Sequence, residues 1–124
     1  ASLTLAAYGY MAELARQAAL RLAYEHEVFV ELVIPTQLAP FELEPLFASV
    51  RRTGRLLAVE EGTPVLGWGS ELLAQAAEAL GARLKTSRRL ASRPYPIPAS
   101  GPLEAAALPG VDDIIAAVMA ACHL

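Results

Sequence analysis

Apolar residues along this chain fall into two alternating regimes. Short, nearly continuous runs read as strands buried on both faces, and longer stretches with apolar residues every third or fourth position read as amphipathic helices. Leu3 to Tyr8 is the first run, closed by Gly9. The next stretch sets Met11, Leu14, Ala15, Ala18 and Leu22 against Glu13, Arg16, Gln17 and Arg21, the pattern of a helix covering a sheet. Tyr24 to Glu27 reads as a polar turn. Val28 to Ile34 reads as a second strand covered on both faces, interrupted by Glu31, which is read as a paired or marginal carboxylate in preference to a catalytic acid.

Prolines at 35 and 40 take the chain out of the sheet. A helix is predicted from about Glu44, with Pro45 in its first turn, Leu46, Phe47 and Val50 on its apolar side, and Gly54 as its stop. Arg51 and Arg52 fall in its last turn, where cations complement the helix dipole. Arg55 to Gly81 is the central unit. It comprises a buried strand, Leu56 to Val59, then Glu60 and Glu61, a glycine-bearing loop, and a helix with Ser70 as N-cap, a stripe of Leu72, Leu73, Ala76, Ala77 and Leu80, and Gly81 as stop.

Arg83 to Leu90 alternates weakly and is rich in charge, as expected of a fourth strand near a sheet edge, where Lys and Arg discourage further pairing. Ser92 to Pro102 holds four prolines and reads as an extended connection. A last helix follows Pro109 and Gly110, with Asp112 and Asp113 at its positive end and Val111, Ile115, Val118 and Cys122 at helical spacing. Strands alternating with helices predict an α/β fold, in which partners and ligands collect at the carboxyl ends of strands.

Composition narrows this picture. The 124 residues suit a single domain, and 55 % hydrophobic content, much of it alanine, suits helices packed on a sheet. The net charge of −3 offers no general attraction to nucleic acid. The basic set Arg83, Lys85, Arg88, Arg89 and Arg93 has no interleaved aromatic for base stacking and reads as a solvated edge. One cysteine excludes an internal disulfide and fits a reducing, cytoplasmic setting. No apolar run is long enough for a transmembrane helix, and no signal peptide is recognisable. The chain starts almost at once on a strand-like run, which suggests a fragment with upstream sequence removed.

Catalytic motifs are lacking. There is no phosphate-binding GxxxxGK[ST] loop, no HExxH pair and no GxSxG elbow, and His26, His123 and Cys122 are too scattered to make a metal site. Gly67-Trp68-Gly69 starts like a dinucleotide fingerprint, but Leu72 stands where the third glycine belongs. Glu60 and Glu61, adjacent on a strand, point to opposite faces and do not act as a pair on one substrate. One suits holding the following loop, the other facing a neighbouring domain.

The segments together resemble the C-terminal domain of transketolase-like thiamine-diphosphate enzymes, above all the β subunit of the E1 component of 2-oxo acid dehydrogenase complexes, of pyruvate or branched-chain type. The resemblance rests on LTLAAYGYM at Leu3 to Met11, QLAPFE at Gln37 to Glu42, TGRLLAVEEG at Thr53 to Gly62 and GWGSEL at Gly67 to Leu72. It continues with YPIPASGPLE at Tyr95 to Glu104 and LPGVDDIIAAV at Leu108 to Val118. It departs at Ile34 to Leu38, where family members often carry DLRTL, and at Leu66-Gly67, where the loop often begins with two glycines.

The resemblance implies a three-layer α/β/α sandwich on a mixed, mostly parallel sheet. It implies a parent enzyme that decarboxylates a 2-oxo acid and acylates the lipoyl group of E2, with thiamine diphosphate and Mg2+ held by its other domains. This segment would then carry no catalytic, cofactor-binding or metal residue of its own. Its expected partners are the E1 α subunit, a second β subunit and the peripheral subunit-binding domain of the E2 acyltransferase, and in isolation it is expected to form a homodimer. The candidate contact residues are Glu60, Glu61, Gly62, Gly67, Trp68, Gly69 and Glu71, with the carboxylate of Leu124 added by analogy of position. Two alternatives stand beside this reading: the C-terminal domain of a transketolase or deoxyxylulose-phosphate synthase, and a free-standing small-molecule or nucleotide-binding α/β module.

Overall fold

A computed structural model of the chain describes residues 1–34, 43–60, 68–91 and 109–123. Its strands are β1 (Leu3–Ala7), β2 (Val30–Val33), β3 (Arg55–Val59) and β4 (Thr86–Leu90), and its helices are α1 (Tyr10–His26), α2 (Glu44–Thr53), α3 (Trp68–Leu80) and α4 (Val111–Ala121). The strands pair in the order β2-β1-β3-β4, every pair parallel. The resemblance implied a mixed sheet; among the described residues no antiparallel strand occurs.

Period-two alternation sorts the two central strands onto two cores. Leu3, Leu5 and Ala7 of β1, with Leu57 and Val59 of β3, meet Met11, Ala15, Ala18 and Leu22 of α1 and Ile114 and Val118 of α4. Ala6 of β1, with Leu56 and Ala58 of β3, meets Leu46 and Val50 of α2 and Leu72, Ala76 and Leu80 of α3. The result is a three-layer sandwich, with α1 and α4 on one face and α2 and α3 on the other. The chain runs outward from β1 to β2 and then crosses back past β1 to β3, so right-handed crossovers put α1 and α2 on opposite faces.

The second strand departs from expectation. It is short, half-buried throughout and lies at the sheet edge, although its sequence reads as a fully covered strand. Glu31 explains part of this: on the α2 side it forms an ion pair with Arg52, in the last turn of that helix. Arg51 likewise bonds Glu44, at 2.7 Å, so both arginines have structural partners.

Helix α1 extends to His26 instead of ending at Tyr24, because residues 24–26 contain no glycine or proline to stop it. It ends where Glu27 enters the left-handed region at φ 54°, its N–H bonding the Leu22 carbonyl. Helix α2 ends as expected at Gly54, with φ 73°. The Gly54 carbonyl then accepts N–H bonds from Lys85 and Thr86, at 2.8 and 3.2 Å, and so ties the entry of β3 to that of β4.

On the same side of the sheet the Thr4 hydroxyl shares hydrogen bonds with Ser49 and Thr53, at 2.7 and 2.8 Å, so a buried polar position costs little. The last helix is capped by the Gly110 N–H bonding Asp113 Oδ2 at 2.8 Å. Asp112 instead reaches Arg21 of α1 at 2.9 Å.

These two left-handed positions predict opposite effects. Gly54→Ala should cost about 1 kcal/mol, since a side chain is strained at this φ. Glu27→Gly should stabilise by a few tenths of a kcal/mol, because glycine takes the helix-terminating conformation freely. Urea unfolding of the two variants checks both signs.

Candidate functional site

The carboxyl ends of β1 and β3 bring together Tyr8, Glu60 and the start of α3. Ala7 pairs with Val59, so Tyr8 and Glu60 leave the sheet side by side. Glu60 continues the Leu56, Ala58 alternation and therefore turns toward α2 and α3. Its N–H donates to the Leu90 carbonyl at 3.0 Å, extending the β3–β4 ladder by one step. Its side chain is fully buried.

The carboxylate lies against the first turn of α3. A Cβ placed on Gly69 would stand 2.8 Å from Glu60 Oε1 and 3.5 Å from the Ala58 Cβ, so the missing side chain of Gly69 is the space the carboxylate fills. Neither oxygen has a hydrogen-bond partner among the described residues. A helix N-terminus contributes at most about 2 kcal/mol to a nearby anion. The penalty for burying an ionised carboxylate is several kcal/mol. The helix end alone would therefore not compensate an ionised carboxylate here.

Trp68 opens α3 and packs edge-to-face on Tyr8, with ring centroids 4.8 Å apart and planes at 69°. Both rings are half-buried. Ser70 is not the N-cap that its sequence position suggested, because α3 starts two residues earlier. Its hydroxyl instead accepts a hydrogen bond from the guanidinium of Arg89 on β4. Glu71 is exposed and accepts from Gln75 Nε2 at 2.8 Å, one turn along the helix. Ala77, placed in the buried stripe by its spacing, is exposed.

Of the candidate contact residues, the structure thus brings Glu60, Trp68 and Gly69 together and leaves Glu71 on the outer face. Glu61, Gly62, Gly67 and Leu124 lie outside the described residues, as do the Pro35–Pro40 and Ser92–Pro102 segments. Tyr8 and Arg89 join the cluster without having been singled out for it. Arg83, Lys85, Arg88 and Arg89 are all exposed, as the solvated-edge reading expected, and Arg89 in addition bonds Ser70. For Tyr8 the available signal was its place at the end of a strand adjacent to the one bearing Glu60.

His26 and His123 are exposed, and no group of three His, Cys, Asp or Glu residues able to hold a metal occurs among the described residues. Cys122 is buried at the end of α4. Burial pushes its thiol up, with Arg55 pulling in the opposite direction.

With this geometry the chain can be set beside known proteins. The family model for the transketolase C-terminal domain matches residues 1–114. The chain belongs to the transketolase C-terminal domain family. It is 35 % identical over 121 residues to the mitochondrial pyruvate dehydrogenase E1 component subunit beta of Pisum sativum, covering 97 % of this chain and 33 % of that protein. It is 32 % identical over 115 residues to the 3-methyl-2-oxobutanoate dehydrogenase subunit beta of Mycobacterium tuberculosis, covering 90 % of this chain and 32 % of that one. Among solved structures it resembles a split-gene transketolase in an inactive beta4 tetramer, with TM-score 0.83 and 26 % identity over 99 % of this chain and 40 % of that one. The chain thus spans about a third of the length of the E1 β relatives it matches.

The Glu60–Gly69 contact makes a testable prediction. Gly69→Ala should destabilise by about 1 kcal/mol, the lower end for overpacking, since the atom it meets is the end of a side chain that can shift. In a Glu60→Ala background the same substitution should cost nothing. Equal costs in both backgrounds, in a double-mutant cycle read by urea unfolding, would assign the effect elsewhere. For Cys122 the expected outcome is slow alkylation by iodoacetamide at neutral pH, becoming fast when the protein is unfolded.

Proposed function

We propose that this chain serves as the C-terminal assembly domain of the β subunit of a thiamine-diphosphate-dependent 2-oxo acid dehydrogenase E1 component. The observation that carries the reading is the match to E1 β subunits at up to 35 % identity along nearly the whole chain, which corresponds to only a third of their length. The parent enzyme would decarboxylate pyruvate or a branched-chain 2-oxo acid and pass the acyl group to the lipoyl arm of E2. The structural likeness to a transketolase supports the fold equally well, but at 26 % identity it favours that parent less.

The described residues do not fit a thiamine-diphosphate site. Among them no group of three His, Cys, Asp or Glu able to hold Mg2+ occurs, and Glu60, the described carboxylate at the end of β3, is enclosed against α3. The work of this domain lies instead in presenting surface to the E1 α subunit, a second β subunit and the E2 subunit-binding domain. Leu20 and Tyr24, one turn apart on α1, are 55 % and 85 % exposed, and Phe29 beside the edge strand is 61 % exposed. Such apolar exposure supports an associating role. No described helix is long and apolar enough to cross a membrane.

Isothermal titration of the chain should show no saturable heat with thiamine diphosphate plus Mg2+, and saturable binding with the subunit-binding domain of the host's E2. Sedimentation should show a dimer or larger species. Cofactor binding by this chain alone, or a strict monomer that ignores E2, would overturn the reading.

A further inference from the structure

The carboxyl ends of β1 and β3 coincide with the point where the sheet order reverses, one crossover leading outward to β2 and the next back to β3. Crevices at such reversals are where doubly wound sheets receive ligands. Here the position holds a buried carboxyl group without a hydrogen-bond partner among the described residues. Glu60 is completely buried, and both of its oxygens lack hydrogen-bond partners among the described residues. Arg89, the cation that reaches the first turn of α3, bonds Ser70 and forms no hydrogen bond to Glu60.

We propose that this strand-end position is a binding site for a guanidinium group, with Glu60 as the carboxylate that receives it and Tyr8 and Trp68 as the aromatic side chains at its edge. The chemistry selects this class of ligand. A divalent metal needs several oxygen ligands, and no group of three His, Cys, Asp or Glu occurs among the described residues. An ammonium ion is strongly hydrated and would have to bring water into a buried place. A guanidinium is weakly hydrated, forks onto both oxygens of one carboxylate, and stacks on aromatic faces. Two vacant carboxylate oxygens on one side chain match that fork. The Tyr8–Trp68 pair, in register beside Glu60, supplies the aromatic surface.

The guanidinium reaches this site either as a free small molecule or as the arginine side chain of a neighbouring polypeptide, and the inference does not depend on the assembly reading. The test is titration with agmatine, a small alkylguanidine, with N-carbamoylputrescine as the counterpart that keeps the ammonium and carries an uncharged urea in place of the guanidinium. Trp68, the sole tryptophan of the 124 residues, provides a fluorescence readout at the site. Agmatine should bind saturably and shift that fluorescence. Glu60→Gln, which keeps the side chain's shape, should weaken binding at least tenfold, and the urea analogue should bind at least tenfold more weakly than agmatine. Trp68→Phe, followed by calorimetry, should weaken binding only a few-fold.

Sedimentation run in parallel separates the two sources. Binding that leaves the oligomer unchanged assigns the site to a free cation, and binding that dissociates it assigns the site to a neighbour's arginine. Equal binding of the two compounds, retention of agmatine binding in Glu60→Gln, or no saturable binding would overturn the proposal. None of these readouts depends on thiamine diphosphate or E2, so the assembly reading can stand or fall separately.

Discussion

Burial of β3 on both faces is the constraint on which the rest of this structure depends. Leu56 to Glu60 has no exposed residue, and the strand is hydrogen-bonded to β1 on one side and β4 on the other. A strand so placed must send alternate side chains into two separate cores. One is filled by α1 and α4, the other by α2 and α3. The same alternation, carried one residue past the last apolar position, delivers Glu60 into the space beneath α3. An ionisable group is thus buried by the geometry of its strand, and Gly69 is the concession that lets α3 pass above it.

That arrangement separates what this domain does for itself from what it offers to others. The hydroxyl cluster of Thr4, Ser49 and Thr53 and the caps at Gly54 and Asp113 satisfy their polar groups internally. Such features stabilise a fold and need no partner. Glu60 is different in kind, because its oxygens end in a buried place without donors among the described residues. The exposed apolar residues on α1 and beside β2 differ in another way, since they leave surface open to solvent. Membership of the transketolase C-terminal domain family gives both features a setting, a domain whose relatives belong to multi-subunit enzymes.

Much of the candidate site could be read from the sequence, because its signals are local. The VEEG run after an apolar stretch, and a glycine-flanked tryptophan before an alanine-rich helix, mark Glu60, Trp68 and Gly69 without reference to the rest of the chain. Tyr8 and Arg89 joined the cluster only through register. Tyr8 stands beside Glu60 because Ala7 pairs with Val59, and Arg89 reaches Ser70 across 19 residues of sequence because β4 lies parallel to β3. An arginine on a charged strand carries no mark of which helix it will meet.

The sequence by itself determined the alternation of strands and helices, the two faces of each helix, and the stops at Gly54 and Gly81, since periodicity and left-handed glycines act within a few residues. The charges of Arg83 to Leu90 marked β4 as an edge strand, but only the tertiary structure decided that β2 lies at the other edge. Val28 to Ile34 has the composition of an interior strand, yet β2 is half-buried at the margin while the less apolar β4 takes the opposite edge. The physical reason is that strand order is set by competition among non-local pairings and by the handedness of the crossovers. Neither the hydrophobicity of a single segment nor its neighbours in sequence records that outcome.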